Sequence, residues 1–287
     1  MEWVNILVQG ALLGGLYALY AVGLSLAFGI MRLVNIAHGD LIVLSAYIGL
    51  VALHATGWHA FTSLIVVVPL MFVLGYALQR SILNFTLGSG ILAPLLVTFG
   101  ISVIIENVLL VQFGASTYRL HQGPIETASL AYGGVAVGAF PFLIFATAIV
   151  ALALLQLVFY RTSLGRAFRA ASDDAGTAAL MGINNRHLYA LAFAIAMIFT
   201  AIAGVLMAIR TDFDPASGPN PLIFAFEAVI IGGLGSLWGT LVGGMVLGVA
   251  QALGSAVSPA FEILAGHLAF LIILVLRPSG LFPRTVD

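Results

Sequence analysis

ILVQGALLGGLYALYAVGLSLAFGI, residues 6–30, is the stretch that decides the fold class of this chain. It contains no charged side chain, and about 20 apolar residues are enough for a helix to cross a lipid bilayer. Because the backbone polar groups of such a segment must be satisfied within the segment itself, the run predicts an α-helix. No basic residue precedes it, and it is longer than the apolar core of a signal peptide, so we expect a retained first span.

The composition extends this conclusion to the whole chain. Of its 287 residues, 62% are hydrophobic and 7% are charged, whereas about 25% of the residues of a soluble protein are charged. These few polar side chains cannot cover the apolar core of a soluble protein, and the surface must therefore face lipid. The net charge of −1 offers no basic patch for nucleic acid. The sequence therefore predicts an integral membrane protein.

Two residue types are absent, and their absence excludes whole classes of chemistry. Without cysteine there are no disulfides, catalytic thiols or cysteine-ligated metals. Without lysine there is no phosphate-binding loop of the GxxxxGK[ST] type, so any ATP must be hydrolysed on another chain. His54 and His59 flank a short turn with no acidic partner, and neither HExxH nor GxSxG occurs. We therefore predict no metal site and no catalytic residue.

Further apolar runs predict an all-α, polytopic bundle of transmembrane helices with about 8 membrane segments. The predicted segments are 5–30, 38–54, 60–80, 91–113, 138–160, 188–209, 223–254 and 259–276.

Arginines in the short loops predict the orientation, because basic residues stay on the cytoplasmic side of a membrane. Segment 161–187 carries four arginines and two aspartates, whereas 210–222 carries one arginine and two aspartates. The first is therefore predicted to be cytoplasmic, and the second and the N-terminus external. The tail, with Arg277 and Arg284, is expected in the cytoplasm, which requires an odd number of crossings after 222.

Two stretches interrupt the apolar pattern and predict broken or re-entrant helices. The 32 residues of 223–254 contain IGGLGSLWGTLVGG and would overshoot a core of ~30 Å as one helix. We expect two half-helices that enter and leave by the same face, although glycines also serve tight helix packing. In 32–47, a surface turn and a pathway lining explain the polar residues equally well. The candidate pathway residues are Asn35, His38, Asp40, Gly232, Gly233, Gly235 and Ser236.

Two glutamates lie within predicted membrane segments. Glu106 and Glu227 are surrounded by apolar residues, and a charge at the bilayer centre costs at least ~2.5–3.5 kcal/mol. Both are candidates for the pathway, with Asn107 as a partner for Glu106. The alternative is that each lies in the headgroup region at the external end of its helix. Glu262, near Pro259, is expected at the membrane interface.

The loop 161–187 has the residues of a short, capped helix. We expect Ser172 and Asp173 to cap its start, Asp174 to add negative charge to its first turn, and Gly182 to end it. A helix of about two turns needs a packing partner, so it predicts a knob that docks on a cytoplasmic protein. We expect Arg166 and Arg169 of the loop to steer that contact. A solvated loop is the alternative.

The sequence GRAFRAASDDAGTAALMGIN, residues 165–184, resembles the cytoplasmic coupling loop of ABC importer permeases of the Liv type, which serve branched-chain amino acids. N-x-A-H-G at 35–39, the glycine-rich segment 227–248 and LRPSGLF at 276–282 are similar to further motifs of that family. The resemblance is to the shorter, H-type subunit. It implies one permease domain over residues 1–287 of a multi-pass protein of the bacterial inner membrane.

The resemblance also implies partners and docking residues. The expected partners are a related M-type permease, two cytoplasmic ATPases that hold ATP and Mg²⁺, and an external solute-binding protein. The external loop 114–137 could meet such a partner or could equally be a lid without one. No cofactor is expected on this chain. The loop lacks the glutamate of the E-A-A pattern of importers. The resemblance and the charged side chains of the loop together give the predicted ATPase-coupling residues. These are Gly165, Arg166, Arg169, Ala171, Asp173, Asp174, Gly182 and Ile183.

The function so predicted is inward transport of branched-chain amino acids or related small polar solutes by alternating access. Relatives of the family handle amides, urea and aromatic acids as well. The alternative is an ion-coupled secondary transporter or channel, in which Glu106, Glu227 or Asp40 would carry the coupling ion.

Overall fold

The computed structural model describes residues 2–57, 59–88, 90, 92–132 and 135–282. Over these residues eight segments are long and apolar enough to cross a membrane, which confirms the predicted all-α polytopic bundle. The helices are α1 Glu2–Met31, α2 His38–Thr56, α3 Leu64–Ser81, α4 Leu92–Phe113, α5 Ala139–Arg161, α6 Ser163–Asp173, α7 Ala175–Leu180, α8 Asn185–Arg210, α9 Pro219–Gly232, α10 Leu237–Val257 and α11 Glu262–Leu276. A hairpin of β1 Ser129–Tyr132 and β2 Val135–Gly138 covers the end of the segment 114–137 and extends one residue beyond it.

Helices α1 and α8 form the centre of the bundle, and most of both is buried. Their surfaces are rich in glycine and alanine, which let neighbouring backbones approach closely without large side chains between them. Gly10 and Gly14 of α1 pack on Gly244 and Gly248 of α10 with no space for a Cβ atom on any of the four. Helices α3, α4, α5 and α11 are mainly exposed and supply the surface for lipid or another subunit.

The predicted break in 223–254 is confirmed at 233–236, but the two flanking helices are unequal. Helix α9 has 14 residues, about 21 Å at ~1.5 Å per residue, whereas α10 has 21 and is long enough to span. The expectation of two half-helices was therefore wrong for the second one. The short length of α9 is matched by a non-helical segment before it, residues 211–218. Helix α9 then begins with a proline at its first position, which is favourable there.

The second interruption, 32–37, is a buried break and not a surface turn. Its backbone is non-helical although Leu33, Asn35 and Ala37 are buried. The ring of His38 then reaches the backbone carbonyl of Tyr20, more than two turns before α1 ends at Met31. Helix α2 thus begins inside the bundle.

Contacts between distant segments sort the chain into two ends. At one end the Ser172 hydroxyl donates to the Gly29 carbonyl at 2.7 Å. At the other end Leu120 pairs with the Ala208 carbonyl at 2.9 Å, and the Ala136 amide donates to Asn5 near the N-terminus. The segments 161–187 and 210–222 therefore lie at opposite ends, as the arginine distribution predicts.

The C-terminal tail lies at the same end as the coupling loop. The amides of Leu281 and Phe282 donate to the carbonyls of Ile231 and Gly232, next to the break between α9 and α10. That break in turn packs beside Gly29. Arg284, on which the predicted tail orientation also depends, lies outside the described residues.

Candidate functional site

The loop 161–187 folds into two short helices that are anchored to the end of α5. Thr162 caps α6 by accepting a hydrogen bond from the Gly165 amide at 3.1 Å. Gly165 is buried so closely against the carbonyls of Val158 and Phe159 that no Cβ atom would fit. Helix α6 is therefore fixed in place by its own first turn.

Asp174 is the residue that starts α7. Its carboxylate accepts from the Gly176 and Thr177 amides at 2.8 and 3.1 Å and from the Thr177 hydroxyl at 2.6 Å. These bonds, led by that of the Thr177 hydroxyl, lower the pKa of the Asp174 carboxyl below its usual value. The prediction that Ser172 and Asp173 cap this helix was wrong, because both belong to the end of α6. The predicted stop is confirmed, since Gly182 has a φ of 87°.

The predicted coupling residues separate into two groups. Gly165 and Ala171 are buried and Ile183 packs against the core, so these hold the loop on the bundle. Arg169 also turns inward, where it donates to the Phe159 carbonyl and its guanidinium carbon lies 5.3 Å from the centre of the Tyr160 ring. Its predicted role in steering a partner is therefore not supported. The exposed members are Arg166, Asp173, Asp174 and Gly182.

The tip of α7 carries two apolar side chains that none of the described residues covers. Leu180 is 89% exposed and Met181 is 80% exposed. Leu180 is the last residue of the capped helix and Met181 follows it, directly before the left-handed Gly182, so their direction is set by a defined backbone. The loop therefore presents a small apolar knob at the end of the molecule where the arginines lie.

The first break gathers polar side chains inside the bundle. The Asn35 side chain accepts from the Ala37 amide at 3.1 Å, and His38 Nε2 lies 2.7 Å from the Tyr20 carbonyl oxygen. Asp40 accepts from the Ser102 hydroxyl of α4 at 2.5 Å. Their partners come from α1, α4 and the break itself, so the three residues form one buried polar layer.

The glycines of the second break lie away from that layer. Gly233 and Gly235 have φ values of 103° and 80°, and Ser236 caps α10 by accepting from the Gly239 amide at 3.2 Å. Gly232 packs on Gly239 across the turn with no space for a Cβ atom. These four predicted pathway residues build the tight turn at the coupling-loop end.

The two membrane glutamates have different environments. Glu227 is 5% exposed; one of its carboxylate oxygens lies 2.5 Å from His267 Nδ1 of α11, and the other is buried without a hydrogen-bond partner. Glu106 is half-buried one turn from Ser102 on α4. The predicted partnership of Glu106 and Asn107 is wrong, since Asn107 donates to the Val103 carbonyl of its own helix.

A cavity of about 380 Å³ opens at the end opposite the coupling loop. Helix α1 contributes Tyr17 and Tyr20, the end of α8 contributes Arg210, and His267 comes from α11. The cavity also reaches the chain on both sides of Gly218, which packs against Gly39 and Asp40 of the buried polar layer.

A family model described as "Branched-chain amino acid transport system / permease component" matches residues 6–276. The chain belongs to this family. It is a permease subunit, and its eight apolar segments are those of a multi-pass membrane protein.

Curated permeases are similar to this permease along nearly its whole length. It is 29% identical over 300 residues to the high-affinity branched-chain amino acid transport system permease protein BraD of Pseudomonas aeruginosa, covering 99% of this chain and 96% of that one. It is 27% identical over 292 residues to LivH of Escherichia coli K12, covering 96% and 94%. LivM of the same strain is 31% identical over 130 residues, covering 44% and 30%. No solved structure matches the permease.

Sequence reasoning missed several residues of the permease that the structure brings together. His267 is not among the residues predicted from the sequence, although a lone histidine in an apolar helix is itself a signal of a buried partner. Arg210 was used only as a topological marker, and Glu262 was expected at the membrane interface; both border the cavity. Tyr17 and Gln251 hydrogen-bond to each other across α1 and α10, and nothing in their local sequence indicates this contact.

Proposed function

We propose that this permease works as the transmembrane subunit of an ABC importer that moves branched-chain amino acids or related small polar solutes inward by alternating access. ATP and Mg²⁺ bind to separate ATPase subunits in the cytoplasm, because the chain contains no lysine for a phosphate-binding loop. The names of the relatives, BraD and LivH, support the choice of solute.

The observation that carries this proposal is the exposed knob of Leu180 and Met181 on a rigidly anchored loop. An exposed apolar tip is unfavourable in water unless a partner covers it. Buried Gly165 and inward-facing Arg169 tie the loop to α5, so force applied to the knob is transmitted to the membrane bundle. A groove on a cytoplasmic ATPase is the partner that fits such a rigid, protruding helix.

Within the membrane, the solute passes close to the two breaks. Non-helical backbone at membrane depth is tolerated only where protein or water covers it, and transporters use such breaks at their sites. The polar layer of Asn35, His38 and Asp40 lies where the segment before α9 meets the first turn of α2. Glu227 and His267 stand beside the cavity that leads to this layer.

The complete importer contains further subunits. A related M-type permease pairs with this chain, two ATPases dock on the coupling loops, and a solute-binding protein delivers cargo at the end that carries 114–137 and the cavity. The broad exposed faces of α4 and α11 suit lipid or that second permease. The complex resides in the bacterial inner membrane.

Reconstitution tests the proposal. The permease is placed in liposomes with and without its partner permease and ATPases, and uptake of radiolabelled L-leucine is measured in the presence of the binding protein. We expect uptake only when the ATPases and ATP are present, and no ATPase activity from the permease alone. Uptake by the lone chain in response to an ion gradient would instead establish a secondary transporter, in which Asp40 or Glu227 is the coupling group.

A further inference from the structure

The cavity opposite the coupling loop has an unusual combination of walls. Aromatic rings form one side, with Tyr17 and Phe224 at 4.8 Å between ring centroids. Side chains of both charge signs stand at its border: Arg210 at the end of α8, the exposed Asp212 two residues after it, and Glu262 at the start of α11. A small-molecule site of ~300–1,000 Å³ is typically apolar with a few polar groups that fix orientation, and this cavity of about 380 Å³ fits that description.

Arg210 lacks the partner that a buried cation needs. Its Nη1 atom is buried and makes no hydrogen bond, and no ion pair involving Arg210 forms in the part of the chain that the structure describes. A buried donor without an acceptor is costly, and the cost is higher when the donor carries charge. Arg210 lines the cavity and is half-buried, so an anionic group there could pair with the accessible part of its guanidinium, and a carboxylate matches the fork of a guanidinium with two parallel hydrogen bonds.

Glu262 supplies the opposite charge from another helix. It is half-buried at the first residue of α11 and forms no ion pair with Arg210 across the cavity. The two charges therefore stay separated, with the rings of Tyr17 and Phe224 among the residues that line the same space. A ligand that carries a carboxylate, an ammonium group and a small apolar side chain satisfies all three features together.

We infer that this cavity is a solute-binding site for a zwitterionic α-amino acid, in which Arg210 binds the carboxylate and Glu262 the ammonium group. The inference rests on the proposed function and gives it a location within this chain. The apolar side chain of the solute packs on Tyr17 and Phe224. Ser217 and Asn220 border the same cavity and flank Gly218, so a bound solute lies beside the path to Asp40.

A neutral amide or urea would not use this arrangement, because neither has a charge for Arg210 or Glu262. The proposed site therefore favours zwitterionic amino acids over the amides and urea that relatives of the family also handle.

Binding measurements on the assembled complex of permeases and ATPases, without the binding protein, test the site directly. We expect L-leucine to bind the wild-type complex at least about 10-fold more tightly than Arg210→Gln, since a hydrogen-bonded charge is lost. Glu262→Gln should weaken binding similarly, and Arg210→Lys less than Arg210→Gln. Arg80→Gln, at an exposed arginine of the opposite end, is the matched control and should bind as the wild type does.

Two ligand analogues provide a readout that does not depend on any variant. L-Leucinamide lacks the carboxylate and 4-methylpentanoate lacks the ammonium group, so each should bind the wild-type complex at least about 10-fold more weakly than L-leucine. If Arg210→Gln does not assemble with the ATPases, these analogues and Glu262→Gln decide the question.

Equal affinity of L-leucine for the wild type and Arg210→Gln, or equal affinity of the wild type for leucine and leucinamide, would overturn the site. Binding of chloride to this cavity without any binding of leucine would overturn the site too. The proposed function fails by a different result, namely no ATP-driven uptake of leucine, isoleucine or valine by the complete wild-type importer. Uptake that persists unchanged in Arg210→Gln leaves the function standing and removes only the site.

Discussion

Three polar side chains inside this bundle each contact a specific partner from another part of the chain. His38 binds the Tyr20 carbonyl, Asp40 accepts from Ser102, and Glu227 pairs with His267. A polar residue in an apolar run is visible in the sequence, so His38, Asp40 and Glu227 were predicted as candidates. Ser102 and His267 were not, because they belong to separate helices and only the packing brings them close.

The pair of Glu227 and His267 predicts an asymmetric response to mutation. His267→Ala leaves a buried carboxylate without its partner and should lower the free energy of unfolding by about 1–3 kcal/mol. The double variant Glu227→Gln, His267→Ala removes the charge as well and should be more stable than His267→Ala alone. Thermal unfolding in detergent measures both, and a strictly additive double-mutant cycle would contradict the coupling.

Gly39 predicts a strong effect for a single methyl group. A Cβ atom there would collide with the Gly218 carbonyl oxygen, so the segment before α9 would have to move away from α2. Gly39→Ala should therefore cost about 1–3 kcal/mol of stability and reduce transport. Gly100→Ala on α4 is the control, because a Cβ atom there meets open space. Equal melting temperatures of the two variants would show that the contact is not tight.

At the scale of elements, the coupling loop shows how far local signals extend. Its short helix and its stop at Gly182 follow from nearby residues and are confirmed, whereas its docking on an ATPase stays a prediction. Asp174 replaced Ser172 and Asp173 as the cap because α6 continues to Asp173, and that length depends on the packing of Gly165 and Ala171 against α5 and the core. A tertiary contact thus shifted a local boundary.

Asp174 predicts how α7 responds to mutation and pH. Its folded-state pKa is lowered, so its stabilising effect is complete above the unfolded value of about 3.9 and is lost as the pH falls through the folded value. Near neutral pH the effect should therefore be constant. Asp174→Ala should speed hydrogen exchange of the α7 amides and lower uptake per ATP hydrolysed, whereas Asp174→Asn retains an acceptor and should do so less. Identical exchange in the two variants would argue against the cap.

At the scale of the whole molecule, two observations of different kinds agree on the topology. The arginine distribution assigns 161–187 to the cytoplasm, and the contacts at the two ends of the bundle place 114–137 and 210–222 opposite it. After α8 the chain runs through the short α9 to the break at the end that carries 161–187, returns through α10 and reaches that end again through α11, so the net number of crossings is odd, as the predicted cytoplasmic tail requires. The break and α11 were predicted, but the unequal lengths of α9 and α10 were not.

The absence of cysteine allows this topology to be tested with single introduced thiols. Thr177→Cys on α7 should react with a membrane-impermeant maleimide in inverted vesicles and not in intact spheroplasts, because its side chain is exposed at the cytoplasmic end. Ser116→Cys should show the reverse pattern. The cysteine-free parent is the control for background labelling, and reactivity of Thr177→Cys from outside would invert the orientation.

By itself, the sequence determined the class of protein and the positions of most spans, because hydrophobicity acts over one segment at a time. The orientation and the coupling role of 161–187 stay predictions from charge, capping and resemblance. Only the tertiary structure decided which polar residues meet, since Arg210 and Glu262 lie on helices far apart in the chain and share a cavity through packing. It also divided the coupling residues into inward anchors such as Gly165 and an outward knob at Leu180. The direction of a side chain depends on what the neighbouring helices leave uncovered, and no local pattern records that.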